Sequence, residues 1–108
     1  MVIADQATLS DNHKIADVVL SVTCPIGASP TPVRVSVRQN GASGSAFSAT
    51  DYRCDGHAHQ VVVPVGTGSG SFHAGAAQAA ASGAWHIDGA TSYPRDSSSD
   101  TSTTIQLV

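Results

Sequence analysis

The chain contains no glutamate and a single lysine, Lys14; its eight acids are all aspartates, and the other cations are four arginines. Charged residues make up 12% of the sequence, about half the usual share. With a net charge of −3 and no Lys/Arg cluster, a nucleic-acid partner is excluded, because phosphate binding needs a basic patch. Arg34 and Arg38 do not make one alone. Aromatic residues are also sparse at 5%, so the 41% hydrophobic content is carried mostly by alanine and valine. A core of small side chains buries little area per residue, and in one domain of 108 residues a covalent staple helps.

No stretch is apolar over the length a membrane-spanning helix needs. The opening "MVIADQATLS" has neither the basic start nor the apolar run of a signal peptide. The expectation is an exported mature form, with residues 1–12 a flexible segment following a removed signal or lipid-anchor region. Role-bearing catalytic sets are missing as well. There is no G-x-S-x-G elbow, and "GTGSGS" lacks the lysine and helix of a phosphate loop. Serines and five histidines combine by chance in such a chain, so the reading is non-enzymatic, with no cofactor.

What the chain does have is alternation. Val18, Leu20, Val22 and Cys24 fall on one face at period two. Val33, Val35 and Val37 point inward in "PVRVSVRQ", with Arg34, Ser36 and Arg38 outward. "HQVVVPV" adds Val61, Val63 and Val65, and Pro64 marks that strand as an edge or a strand end. The alanine run of "HAGAAQAAASGAWHID" favours helix on propensity. Trp85 and Ile87 nevertheless continue a period-two series from Ala77, so the β-rich context favours strand, with Trp85 in the core. "TSTTIQLV" reads as a final strand. "PIGASPTP", "NGASGSA", "GTGSGS" and "YPRDSSSD" read as turns, the last being the longest polar loop. The fold class expected is all-β, an antiparallel sandwich or small barrel of about seven strands in one domain, 1–108.

The stretch "CDGHAH" concentrates one thiol and two imidazoles. His57 and His59 share a face on a strand, and a third metal ligand could come from Cys54, Asp55, His73 or His86. Zinc ribbons and fingers, however, bring ligands in two paired clusters, and Cys24 has no companion nearby. The histidines therefore read as polar residues on an outward strand face. Two cysteines in a small, lysine-poor chain suggest an oxidising compartment and one disulfide. Closing a loop of about thirty residues stabilises by roughly 3–4 kcal/mol on the chain-entropy model. Asp51, Tyr52, Asp55 and Tyr93 are the exposed candidates for ligand contact, because aromatic-plus-acid clusters suit cationic amphipathic peptides.

The segments "VVLSVTCPIG", "VRVSVRQ", "YRCDGHAHQVVVPV" and "FHAGAAQAAASG" resemble small exported immunoglobulin-like domains of actinobacteria. Where relatives carry a tryptophan, this chain has His59. The resemblance implies that Cys24 and Cys54 form a structural bridge between the strand ending at Thr23 and the one starting near Gln60. The chain is also similar to the self-resistance lipoproteins of lantibiotic producers. That likeness implies a monomer outside the membrane, anchored only through a removed N-terminal lipid, that sequesters an amphipathic antibiotic peptide. The alternative expectation is a structural or adhesive cell-surface module contacting the envelope.

Overall fold

The computed structural model describes residues 1–68, 70–87 and 95–108, with the side chains of 86, 87 and 95–99 excepted. It is all-β. The strands are β1 (Val2–Ile3), β2 (Gln6–Leu9), β3 (Ile15–Thr23), β4 (Arg34–Gln39), β5 (Ala42–Phe47), β6 (Ala58–Gly66), β7 (Gly75–Ile87) and β8 (Arg95–Leu107). Pairing runs β1-β3-β2-β8-β7-β4-β5, with β6 on the other side of β3. β2 is the seam. Thr8 and Leu9 pair antiparallel with β3, while Gln6 and Ala7 pair parallel with β8.

Two sheets result, β1-β3-β6 and β2-β8-β7-β4-β5, joined through β2. The disulfide ties the end of β3 to the segment leading into β6, within one sheet, as expected.

The alternation read from the sequence sets the faces. Ala16, Val18, Leu20 and Val22 of β3 point inward beside Val61, Val63 and Val65 of β6. Across the interior lie Val35 and Val37, then Ala77, Ala79, Ala81 and Trp85, then Ile105 and Leu107, all in one cluster. The alanine run is strand because it is paired on both sides, to β4 and to β8. Ladder bonds and packing on both neighbours override its helix propensity.

Among the described residues eight strands form, close to the expected number, and three expectations are corrected. Residues 1–12 are not a flexible leader: Ile3 and Ala7 are core residues, and β1 and β2 close the seam between the sheets. "NGASGSA" is not all turn. Only Asn40 and Gly41 make the turn, with Gly41 at a φ of 86° that a side chain disfavours, and β5 starts at Ala42. "YPRDSSSD" is not all loop, since β8 begins at Arg95, and Tyr93 lies outside the described residues.

β5 is glycine- and serine-rich because its outer edge is pressed against the chain leaving β6. Gly68 N–H donates to the Ser43 carbonyl, and a Cβ on Gly44 would sit 1.9 Å from the Gly66 carbonyl oxygen. That obstacle is backbone and has no rotamer to yield. Gly44→Ala should therefore lower the unfolding free energy by about 1–3 kcal/mol through overpacking, read from the shift of the urea midpoint at unchanged slope.

Candidate functional site

Three places on the molecule gather polar side chains or concavity, and the first is the disulfide end. Cys24 and Cys54 are bonded, with Cα atoms 4.4 Å apart, and Gly56 N–H donates to the Cys24 carbonyl. Asp55 then organises the start of β6. Its carboxylate accepts the His57 backbone N–H at 2.9 Å and faces His59 Nε2 at 2.9 and 3.0 Å. The His57 bond, then the His59 bond, hold the Asp55 carboxyl below the usual carboxylate value, against a smaller opposing effect of burial.

His59 is not on the outward face. It stands in register with Val22 and continues the inward series of Val61, Val63 and Val65, at the open end of the sandwich. His57 precedes the strand and is exposed, so the two rings do not share a strand face. Among the described residues no three His, Cys, Asp or Glu side chains gather around a metal-sized space.

Tyr52 is a second correction. It is buried, and its hydroxyl is the centre of a core knot. That oxygen accepts Trp85 Nε1–H at 2.9 Å and Thr31 N–H at 2.9 Å, and donates to the Thr31 carbonyl. The Thr31 hydroxyl donates to Ala84 in turn. Only two donors and one acceptor with fixed geometry explain a tyrosine in a core of alanine and valine, since a buried phenol needs partners. The sequence signal was available in part: Trp85 needs an acceptor when buried, and Tyr52 is one of two tyrosines able to supply it. Asp51, Tyr52 and Asp55 do line a common cleft of ≈ 390 Å³ with Arg53, His59 and Gln60.

The third place, missed from sequence, is the outer face of β5-β4-β7-β8. Cross-strand register arranges its side chains in rows. Ser45, Ser36, Ala80 and Ser102 form a middle row of small residues. On one side stand Ser43, Arg38, Gln78 and Thr104, with Gln78 Nε2 donating to Thr104 Oγ1 at 2.8 Å. On the other stand Phe47, Arg34, Ser82 and Asp100.

A row of short side chains between two rows of longer ones is a trough across the strands. The flanking rows are about 13 Å apart and the four strands span about 14 Å. The concavity measures ≈ 950 Å³ over its larger part. Neither Arg34 nor Arg38 has a hydrogen-bond or ion-pair partner among the described residues, and Phe47 is 66% exposed at the rim. The alternation of outward residues was legible; that the short ones align in one row depended on register.

No protein-family model, curated protein or solved structure matches this chain.

Two outcomes follow from this geometry. Tyr52→Phe leaves the Trp85 and Thr31 donors buried without an acceptor and should destabilise by about 2–4 kcal/mol, measured by chemical denaturation. The Asp55 carboxyl should titrate below the ordinary carboxylate value in a carbon-detected NMR titration. Because its folded pKa is depressed, the clasp contributes stability above the ordinary carboxylate pKa and loses it as pH falls through the lowered value. Asp55→Asn should remove that part of the acid dependence.

Proposed function

We propose that this protein is an exported, monomeric, non-enzymatic binding module that sequesters an amphipathic peptide of the lantibiotic kind. The observation that carries this reading is the trough, where register places Ser45, Ser36, Ala80 and Ser102 in one line between two taller rows. Its volume falls in the range of ligand sites, and its floor lies on paired strands, which hold it open without a ligand.

The chemistry along it is mixed in a way that suits an amphipathic ligand. Methyl and hydroxyl groups line the floor, the exposed Phe47 stands beside Arg34 in the flanking row, and Arg34 and Arg38, without partners among the described residues, present forks for a carboxylate. Asp100 on one flank, and Asp51 and Asp55 in the cleft at the disulfide end, supply the counter-charge for cationic groups. The Cys24–Cys54 bond fits an oxidising compartment, on the outer side of the cell membrane.

An isotope-labelled sample titrated with a lantibiotic tests the proposal. Amides of Ser36, Ala80 and Ser102 and the side chains of Arg34 and Arg38 should shift together. Ala80→Trp, which fills the trough from an outward position, should weaken binding about tenfold or more with the melting temperature nearly unchanged. Absence of any residue-specific shift at millimolar peptide would reject it and favour a structural or adhesive module.

A further inference from the structure

The edges of the two sheets are not equally guarded. In β6 the backbone groups of Val61, Val63 and Val65 face β3, so Gln60, Val62 and Pro64 face outward, and Pro64 removes a donor from that edge. The outer edge of β5 is covered by Gly66–Gly68, through the Gly68 N–H to the Ser43 carbonyl. β1 has only two residues. β8 is different. β2 pairs with only Gln106 and Leu107 of its thirteen residues, and the β7 ladder on its other side runs thirteen pairs without a bulge.

Parity shows which groups are vacant. Gln106 N–H donates to Asp5 on the β2 side, so the N–H and C=O groups of Thr104, Ser102 and Asp100 point to that same side, where no strand pairs with them among the described residues. No proline or lysine interrupts the run from Arg95 to Ile105, the devices that usually blunt an exposed edge.

From this vacancy we propose that β8 receives a linear amphipathic peptide as an added strand, in the strand position that β2 begins at Gln106–Leu107. β2 already demonstrates that a strand fits beside β8 there. An incoming strand alternates. Residues facing the outer side meet Asp100, which has no ion-pair partner among the described residues and selects a lysine or arginine. Residues facing the inner side meet Thr101 and Thr103, which are turned inward yet half-exposed. The occupant is thus a peptide of alternating cationic and small apolar residues, held by main-chain bonds with side-chain selection at every second position. This surface uses the backbone of β8 and shares only the Asp100 side chain with the trough, whose floor lies on four strands, so Ser102→Pro and Ala80→Trp separate the two readings.

The probe is an acetylated, amidated peptide of four Lys-Val repeats, titrated into the full chain. Binding should slow hydrogen exchange at Asp100, Ser102 and Thr104. Ser102→Pro deletes an outward N–H without touching the β7 ladder, and should weaken binding about tenfold, as the loss of one to two backbone hydrogen bonds implies. Asp100→Asn should weaken it by a smaller factor and flatten its salt dependence. Ala80→Trp should leave this binding intact while removing lantibiotic binding in the trough. Should Ser102→Pro fail to fold, the wild-type chain with a peptide N-methylated on alternate residues gives the same comparison. Equal binding of the N-methylated and parent peptides, or unchanged exchange at the three amides, overturns the proposal. So does a concentration-dependent dimer that Ser102→Pro abolishes, since a second copy would then hold the edge.

Discussion

Ala77, Ala79 and Ala81 occupy three successive inward positions of β7, and opposite them β3 and β6 present valine and leucine. A core made of such short side chains fills only if the two sheets come close, because a void left between them forfeits dispersion contacts. That close approach is the constraint the rest of the structure obeys. It requires Gly44 where β5 meets the Gly66 carbonyl, and it explains why the few large residues, Phe72 and Trp85, sit where the small ones leave space. It also explains the staples. Small residues bury little area, and the Cys24–Cys54 bond and the Tyr52 knot add cohesion at the end where β3, the 25–33 loop and β7 converge.

The same alanine run has a second consequence on the other side of the sheet. Ala79 and Ala81 face the core while Ala80 faces outward, in line with Ser36, Ser45 and Ser102. One stretch of small residues therefore permits close sheet packing within and floors a trough without. Low charge contributes here too. With few long ionic side chains available to lie across the sheet, the depression remains open, and the two arginines beside it have no partner among the described residues.

The long β7–β8 ribbon extends this logic to the edge. β4 pairs with β7 only from Gln78 to Ser82, so from Gly83 onward the ladder is supported by the Thr31 hydroxyl at Ala84 and by the buried Trp85 in the Tyr52 knot. Serine and threonine keep such a ribbon soluble while leaving its main-chain groups available. Polarity protects it from hydrophobic association, yet it does not occupy its hydrogen-bonding edge.

The sequence by itself determined the strand character of most segments, because period-two alternation places one face in the core regardless of partner. Val18 to Cys24, Val33 to Val37 and Val61 to Val65 are legible on that ground, as is Pro64 at a sheet edge. It also carried the disulfide, through the count of cysteines and the resemblance. It did not reveal β1, β2 or β5, whose short or glycine-rich segments carry little hydrophobic signal and are strands only because neighbours pair with them. Nor did it show that Tyr52 is buried, which depends on contacts distant in sequence, whereas the inward turn of His59 follows from its parity with Val61 once β6 begins at Ala58. Register and strand order alone decided the trough and the vacant edge. A side chain's face follows from its own position in a strand, but its neighbours across the sheet follow from pairings many residues away.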